Sequence, residues 1–495
     1  MATSYIKNMN EQHMQNALPS ITWSQLRKAG RTLPVPFQLL LKDSDIPLIC
    51  EEVVRVIPSK RLVMFGLWDD QPVVAKLFIE YRNAKRHLKR DVDGIDALIE
   101  SNIPTPALLY KGVAREKRIH VLIFERILKS HNLEDVWQQK TSMEEMTPLL
   151  RHVSIELATQ HVLGIVQRDL HLKNFLITQK KIYTLDGGSI ERENAILSKE
   201  DSLQHLGLFF AQLGVGTDSL LQDLLDVYAK ARGWIVKTAD VEFLRKSIEK
   251  WNSLRWDRYQ KKIFRHCSAY MAMETTHSFV MYDREYDSPE FLALLKNPDI
   301  IFAHPDTVML KNGGSSTVVK IKINNKVLVI KRYNIKSAGH WLRRCLRRSR
   351  AAMSWRMAHR LQLFGVATAK PVAFIENRIL GLRGKSYLIM EHVEGPSLGN
   401  YFTQVRDDNT LMTKMVDRVI ILLKNLALMR ITHGDLKMTN ILIDHNNPVL
   451  IDLDGMVEHK TFFSLKRAWS QEIKRFMKNW ENTPSVRVLF ERISK

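Results

Sequence analysis

Cysteine is scarce in this chain of 495 residues, which contains only Cys50, Cys267 and Cys345. The three lie far apart and form no C-x-x-C spacing, which excludes a zinc ribbon or a disulfide-bonded scaffold and suits a reducing compartment. Glycine (21 residues) and proline (16 residues) are also few, so collagen-like and low-complexity chains are excluded. With 45% hydrophobic residues, the chain has enough apolar material for sizeable cores.

Long apolar runs are missing too. No stretch approaches the roughly 18 consecutive apolar residues of a membrane-spanning helix. The N-terminus also lacks the basic segment followed by an apolar segment that marks a secretory signal. We therefore expect a soluble, cytosolic protein.

Acidic residues are in deficit. The chain has 53 Asp and Glu against 74 Lys and Arg, which gives a formal net charge of +21. A protein this basic favours acidic partners, such as nucleic acid, an anionic membrane surface, or a phosphorylated or carboxylated substrate.

One pattern occurs twice. Residues 166–177 and 432–443 both contain D-L-x-x-x-N followed by three apolar residues, and each continues into a short strand that ends at a further aspartate. Each residue of the second copy follows its counterpart by 266 positions, and the pairs are Asp169 and Asp435, Asn174 and Asn440, and Asp186 and Asp452. A period of this size indicates a domain duplication.

Two further strands precede each copy. An apolar strand ends in lysine at Lys76 and Lys331, and a later apolar strand ends in glutamate at Glu125 and Glu391. A helical stretch and a proline-containing turn separate the two strands. The order strand–Lys, helix, strand–Glu, helical region, D-x-x-x-x-N loop, strand–Asp therefore occurs twice.

These parts suit phosphoryl transfer from ATP. That reaction needs a cation on the phosphates, oxygen ligands for Mg²⁺ and a carboxylate near the attacking hydroxyl. The strand lysine, the Asn with the later Asp, and the loop Asp can fill these roles, as in protein-kinase-like enzymes. We predict an α+β fold of two tandem bilobal protein-kinase-like domains, each with a small β-rich N-lobe and a larger helical C-lobe.

The pattern assigns a role to each candidate residue. The predicted catalytic bases are Asp169 and Asp435, and the predicted Mg²⁺ ligands are Asn174, Asp186, Asn440 and Asp452. The predicted nucleotide-binding residues are Lys76, Asp91, Glu125, Gly313, Gly314, Ser315, Lys331 and Glu391.

The two copies differ in completeness. Gly313 and Gly314 are typical of a loop that approaches phosphate closely, whereas residues 56–61 of the first copy contain no glycine. Conversely, Asp91 can orient Lys76, but residues 352–356 in the second copy contain no acid. Two Mg·ATP-competent sites are predicted, and if only one is active, the glycine loop and the H-G-D motif favour the second.

Both halves resemble the bacterial lipopolysaccharide core kinases, the Kdo and heptose kinases, over residues 48 to 495. The resemblance rests on residues 60–63, 74–78, 164–171 and 186–188 in the first half and on residues 349–355, 432–437 and 451–454 in the second. It implies phosphorylation of a heptose or Kdo hydroxyl on the core oligosaccharide of lipid A, with ATP and Mg²⁺ as cofactors. It also implies a place at the cytoplasmic face of the inner membrane of a Gram-negative bacterium.

Other functions stay open, namely a protein or small-molecule kinase, or a partly degenerate pseudokinase scaffold for an anionic partner. Basic residues cluster at 85–90 and 341–350. They form either a solvated helix face or a docking surface for an anionic glycolipid or the inner-membrane surface. No zinc finger or RNA-binding motif supports a nucleic-acid partner.

Domain boundaries are predicted from polar stretches punctuated by proline. We predict an N-terminal lead-in at 1–45, a first kinase-like domain at 46–287, a linker at 288–305 and a second kinase-like domain at 306–495.

Overall fold

The computed structural model describes residues 18–140, 143–335, 337–342 and 345–494, so Arg343 and Arg344 of the basic stretch 341–350 and the first 17 residues lie outside it. The fold is mixed α/β, and the described chain forms two compact units. Unit 1 comprises residues 18–209 and 220–244, and unit 2 comprises residues 210–219 and 245–494. Within these described ranges, no helix is long and apolar enough to cross a membrane.

The elements are numbered here in chain order. The strands are β1 (Phe37–Leu39), β2 (Leu48–Ile57), β3 (Arg61–Trp68), β4 (Gln71–Phe78), β5 (Leu108–Val113), β6 (His120–Glu125), β7 (His131–Asn132), β8 (Ile165–Gln167), β9 (Phe175–Ile177), β10 (Ile182–Thr184), β11 (Ile190–Arg192), β12 (Tyr270–Glu274), β13 (Ser278–Asp283), β14 (Val308–Asn312), β15 (Ser316–Ile323), β16 (Lys326–Tyr333), β17 (Pro371–Ile379), β18 (Leu382–Glu391), β19 (Ile431–Thr432), β20 (Ile441–Asp444), β21 (Asn447–Leu450) and β22 (Val457–Glu458). The α-helices are α1 (Trp23–Lys28), α2 (Ala84–Glu100), α3 (Leu133–Gln139), α4 (Met143–Val162), α5 (Lys199–Phe210), α6 (Asp218–Ala231), α7 (Thr238–Lys262), α8 (Pro289–Lys296), α9 (Ala338–Leu342), α10 (Arg350–Leu363), α11 (Leu398–Gln404), α12 (Asn409–Leu428), α13 (Phe462–Lys478) and α14 (Pro484–Phe490).

Unit 1 begins with a six-stranded antiparallel sheet of order β1-β2-β3-β4-β6-β5. Helix α2 packs against it because Leu88, Val92, Ile95 and Leu98 recur every three or four residues and share one buried face. These side chains form a core with residues of β4 and β6. The rest of the unit is helical, with two small sheets, β10-β9-β7 and β11-β8.

The predicted lead-in is part of this unit from residue 18 onward. Leu26, Phe37 and Leu41 are buried in a core with the inner side chains of the sheet. Strand β1 pairs with β2, with Phe37 opposite Cys50. The prediction of a lead-in at 1–45 is corrected because these apolar side chains cover one end of the sheet.

Unit 2 contains a seven-stranded sheet of order β12-β13-β17-β18-β16-β15-β14, in which every pair is antiparallel. A helical core follows, in which Trp355 of α10, Leu423 of α12 and Phe476 of α13 are fully buried. Two short two-stranded antiparallel sheets, β19-β22 and β20-β21, carry the residues around the second D-x-x-x-x-N loop.

The predicted linker at 288–305 lies inside unit 2. Ser288 caps α8 by accepting a hydrogen bond from the backbone N–H of Phe291 at 3.2 Å, and Pro289 occupies the first helical position. Phe291, Leu294 and Ile301 are buried against the seven-stranded sheet. Pro289 and Pro298 therefore mark helix starts, and the boundary near 288–305 is corrected because the preceding strands β12 and β13 already belong to this sheet.

Candidate active site

The strand lysine of unit 1 lies in a cluster of opposite charges. Lys76 on β4 places its Nζ 2.6 Å from Asp91 Oδ1 and 3.3 Å from Asp186 Oδ1. Arg61 Nη1 lies 3.4 Å from the other oxygen of Asp91, which is 1% exposed. Burial raises the pKa of Asp186, but Lys76 and Arg61 outweigh it, and the carboxyl titrates below its usual range.

Two glycines allow α2 to approach the turn after Asp186. A Cβ on Gly94 would lie 2.0 Å from the Gly187 carbonyl oxygen, and a Cβ on Gly187 would lie 2.3 Å from the Asp91 carbonyl oxygen. The backbone N–H of Gly188 donates to Asp91 Oδ1 at 3.2 Å. The close approach therefore carries the carboxylate of Asp91 to Lys76.

The first D-x-x-x-x-N loop is closed by its own asparagine. Asn174 donates from Nδ2 to the carbonyl oxygen of Asp169 at 2.9 Å, and its amide oxygen is the atom that could coordinate a metal ion. His171 Nε2 lies 3.1 Å from Asp169 Oδ1. Asp169 is the most exposed carboxylate of the group, at 72% of its side chain, as a base for an incoming hydroxyl needs to be.

A cavity of about 600 Å³ adjoins this cluster. Apolar side chains that suit a flat aromatic base form much of its wall, while charged and amide groups lie at one end. Its lining includes Val54, Val63, Phe65, Val74, Phe124, Leu176 and Leu185, together with Lys76, Glu125, Asn174 and Asp186. Four of the predicted site residues of unit 1 thus share one cavity.

The strand lysine of unit 2 has a different set of partners. Lys331 on β16 forms an ion pair with Asp452 and lies 3.4 Å from Asp454 Oδ1. Arg350, from the N-terminus of α10, pairs with the other oxygen of Asp454. The helix supplies no carboxylate, as the sequence predicts, and the I-D-x-D motif supplies a second one instead.

The two aspartates of that motif are electrostatically unequal. Burial would raise the pKa of Asp452, but a hydrogen bond with Asp454 and the charge of Lys331 hold it far below its usual value. Burial and the hydrogen bond with Asp452 raise the pKa of Asp454. Asp452 therefore carries the more persistent negative charge, as a Mg²⁺ ligand should.

The second loop repeats the backbone geometry of the first. Asn440 donates from Nδ2 to the carbonyl oxygen of Asp435 at 2.8 Å, and Lys437 Nζ lies 2.8 Å from Asp435 Oδ1. Asp452 has a left-handed backbone with φ 61°, and Asp186 of unit 1 has φ 68°. Non-glycine residues rarely adopt this conformation, so its recurrence at matched positions points to a function.

Buried side chains hold each loop through hydrogen bonds to its backbone, and these side chains differ between the two units. In unit 2 the buried carboxylate of Glu472 on α13 accepts the backbone N–H groups of His433 at 2.9 Å and Gly434 at 2.5 Å. Arg475, one helical turn later, donates to the carbonyl oxygen of Gly434 at 2.5 Å. Burial raises the pKa of Glu472.

In unit 1 a chain of buried side chains, called here the imidazole relay, holds the loop. His205 Nε2 lies 2.8 Å from the carbonyl oxygen of Gln167, His205 Nδ1 lies 2.8 Å from His161 Nε2, and His161 Nδ1 lies 2.7 Å from the Tyr228 hydroxyl. Arg232 donates to that hydroxyl at 3.0 Å.

A single proton order satisfies every member of the relay. A carbonyl oxygen only accepts, so His205 donates from Nε2 and its Nδ1 accepts from His161, which in turn accepts from the tyrosine. Both imidazoles are then neutral. Burial lowers the pKa of His205 to about 4 and that of His161 well below its usual value, which fits this state.

The glycine loop and the strand glutamates complete the set of predicted residues. Residues 313–315 form the turn between β14 and β15, and Asn334 donates from Nδ2 to the Gly313 carbonyl oxygen at 3.1 Å. Gly314 has open space around the position of a Cβ. Glu391 ends β18 and accepts a hydrogen bond from the Tyr286 hydroxyl.

Several contributors were missed at the level of sequence. Nothing marked Glu472 or the imidazole relay, since they support the loops from helices remote in sequence. Asp454 is a partner of Lys331, and the second aspartate of the I-D-x-D motif could have indicated this from the sequence. Arg350, counted at the sequence level in the basic stretch 341–350, is 30% exposed and forms an ion pair with Asp454.

Neither cluster forms a metal site from protein side chains alone. Among the described residues, no group of three or more His, Cys, Asp or Glu side chains could hold a metal ion. One amide oxygen and one carboxylate per site fit Mg²⁺ that takes further oxygens from nucleotide phosphates and water. The donor set therefore fits a metal that arrives with its nucleotide.

Comparison with known proteins identifies one match. Residues 311–488, which lie within unit 2, match the family model described as "Lipopolysaccharide kinase (Kdo/WaaP) family". The matched range contains the glycine loop, the strand lysine, the H-G-D loop and the I-D-x-D motif. A search among curated proteins finds no match to the chain.

Proposed function

Because residues 311–488 match the model of the lipopolysaccharide kinase (Kdo/WaaP) family, we propose that the protein transfers the γ-phosphoryl group of ATP to a sugar hydroxyl of the lipopolysaccharide inner core. The acceptor sugar is heptose or Kdo. The observation that carries the proposal is the ion pair of Lys331 with Asp452, the aspartate that follows the H-G-D loop.

Each residue of the second site has a part in this transfer. The carboxylate of Asp435 accepts the proton of the sugar hydroxyl as its oxygen attacks phosphorus. Lys331 exchanges its contact with Asp452 for the nucleotide phosphates, and the backbone N–H groups of Gly314 and Ser315 face the same phosphates. Mg²⁺, held by Asn440 and Asp452, would neutralise charge on the phosphoryl oxygens.

Unit 1 is proposed as a second kinase-like domain in tandem. Lys76, Asp91 and Asp186 form its charge cluster, and the adjoining cavity of about 600 Å³ has the apolar wall and polar end that a nucleotide requires. Asp169 would be the base, with Asn174 and Asp186 as Mg²⁺ ligands. Both sites are therefore proposed to accept Mg·ATP.

The acceptor is proposed to reach the protein at the cytoplasmic face of the inner membrane. Core oligosaccharide on lipid A carries carboxylates and phosphates, and the formal charge of +21 complements it. Each Lys or Arg close to an anionic membrane surface contributes about 1 kcal/mol of attraction.

Lysine variants separate the two sites. Purified Lys331→Met, Lys76→Met and the double variant are assayed for transfer of labelled phosphate from ATP to core oligosaccharide–lipid A. Removal of a phosphate-binding cation should lower turnover by roughly 100-fold or more at the affected site, and the double variant should be inactive. Lys322→Met and Lys111→Met serve as matched controls because these lysines are exposed on strands of the same two sheets.

The outcomes have distinct meanings. Full turnover in the double variant would refute the kinase proposal, and phosphate transfer to peptide or aminoglycoside but not to core oligosaccharide would refute the acceptor. Loss of turnover in only one single variant would identify the active unit. A chain that shows no thermal stabilisation by Mg·ATP would be a scaffold, since ligand at 100 times its dissociation constant stabilises a fold by about 2.7 kcal/mol.

A further inference from the structure

Two consecutive phenylalanines at the start of α13 are exposed. Phe462 is 72% exposed and Phe463 is 80% exposed, although most large apolar side chains of unit 2 are buried. Side chains of this size lose favourable burial when they face water, and a contiguous exposed apolar patch marks an interaction site.

Phe462 of the exposed pair continues the buried stripe of the helix, and Phe463 lies beside it. Phe462, Leu465, Trp469, Ile473 and Phe476 recur at intervals of three or four residues, so they lie on one face. Leu465, Ile473 and Phe476 are buried in unit 2. The apolar stripe therefore continues into the first turn of the helix, where the rest of the protein no longer covers it.

Charge along the chain next to the pair has one sign. Lys460, Lys466 and Arg467 are exposed, and residues 459–471 contain no Asp or Glu. The nearest acids along the chain are engaged elsewhere: Glu458 pairs with Arg356 and Arg360. An apolar tip with a cationic border suits an anionic lipid surface, where rings enter the headgroup region and cations meet phosphates.

The chain ties this tip to the second site. The backbone N–H of His459 donates to the Arg430 carbonyl oxygen at 2.8 Å, and the His459 ring lies 2.9 Å from the Thr432 hydroxyl, three residues before Asp435. Phe462 follows His459 by three residues, a span of at most about 11 Å. A membrane bound at the tip would thus lie close to the proposed base.

We propose that Phe462 and Phe463, with Lys460, Lys466 and Arg467, form a membrane-docking tip that inserts into an anionic bilayer and presents the second site to a lipid-anchored acceptor. The identity of the acceptor rests on the proposed function, whereas the binding of the tip to lipid does not.

Vesicle sedimentation without ATP tests the tip. The parent chain, Phe462→Ser with Phe463→Ser, and Lys466→Gln with Arg467→Gln are mixed with vesicles of phosphatidylethanolamine and phosphatidylglycerol, or of phosphatidylcholine alone. We expect the parent to prefer the anionic vesicles and each pair of changes to weaken that binding by about tenfold or more. Leu380→Ser is the matched control, since Leu380 is 95% exposed and also in unit 2.

Either of two results would overturn the proposal. The phenylalanine variant could bind anionic vesicles as tightly as the Leu380 variant. Alternatively, it could convert a dimer to a monomer in analytical ultracentrifugation with vesicle binding unchanged, which would make the tip a self-association surface.

Activity separates this proposal from the kinase assignment. The phenylalanine variant should lose turnover on core oligosaccharide–lipid A in vesicles and keep it on deacylated, water-soluble core oligosaccharide. Equal turnover on both acceptors despite lost vesicle binding would refute the role in presentation. If the parent phosphorylates neither acceptor but still binds vesicles, the kinase proposal fails and the docking tip stands.

Discussion

Replacement of His205 by phenylalanine should make unit 1 less stable at neutral pH and less sensitive to acid. At neutral pH the change leaves the Gln167 carbonyl oxygen and the His161 N–H without partners in a buried site. Each such loss costs about 1–3 kcal/mol. The aromatic ring preserves most of the volume, so the effect reports the lost hydrogen bonds.

The acid sensitivity has a definite sign and size. The pKa of His205 falls from 6.5 in the unfolded chain to about 4 in the relay. The unfolded chain therefore binds more protons between these values, and the free energy of unfolding decreases as the pH falls from about 6.5 towards 4. At about 1.4 kcal/mol per pH unit, the total loss is about 3 kcal/mol, and the phenylalanine variant should lack this part of the slope.

Hydrogen–deuterium exchange with mass spectrometry can measure this locally. Peptides that cover α4 and β8 are followed at about pH 7, 6 and 5, with correction for intrinsic exchange, because a chain with two units need not unfold in one step. His359→Phe is the control because it removes another buried imidazole, whose pKa burial lowers to about 3, from unit 2. It should leave the pH slope of the unit 1 peptides unchanged. An unchanged pH slope in His205→Phe, or unchanged protection at neutral pH, would refute the reasoning.

Three further substitutions probe how the loops are held. Gly94→Ala should displace α2, because its Cβ would lie 2.0 Å from the Gly187 carbonyl oxygen; nucleotide binding by unit 1, measured by fluorescent-analogue titration, should be lost. Gly434→Ala places a Cβ on a residue with a φ of +82° and only 2.1 Å from the Gly455 carbonyl oxygen. Turnover at the second site should therefore vanish, while nucleotide binding by unit 1 persists. Glu472→Ala removes the shared acceptor of the backbone N–H groups of buried His433 and exposed Gly434. The unpaired N–H of His433 should cost about 1–3 kcal/mol and lower the melting temperature in calorimetry; a melting temperature equal to that of the parent would contradict this account.

Local chemistry explains what could be predicted from the sequence. The D-x-x-x-x-N loops, the strand lysines and the later aspartates are each short motifs that can be recognised locally. Lys76 and Asp186 are 110 residues apart, so the motifs were grouped because they occur twice in the same order. The pairing of Lys76 with Asp91 follows from the same kind of argument, because Asp91 lies on the apolar face of α2, and the structure brings the two within 2.6 Å.

Long-range partners explain what could not be predicted. Glu472 lies almost 40 residues after the loop that it holds, and His205 lies on a helix that no motif connects to Gln167. The prediction from composition that residues 18–45 are part of a lead-in and that residues 288–305 are a linker also differs from the structure. Their few apolar side chains complete a sheet face and a helix face only once the rest of each unit is in place.

The interleaved order of the units has a consequence for biosynthesis. Unit 1 receives its last residue, Leu244, when about 250 residues of the chain are still to be made. At 5–20 residues per second, synthesis of that remainder takes roughly 12–50 s. Phe364, whose carbonyl oxygen accepts the N–H of Val215 at 3.0 Å in the finished protein, is made about 120 residues after Leu244, so Val215 lacks it for roughly the first 6–24 s of this interval. A short piece of unit 2, residues 210–219, thus emerges from the ribosome before the chain segment that binds Val215 has been synthesised.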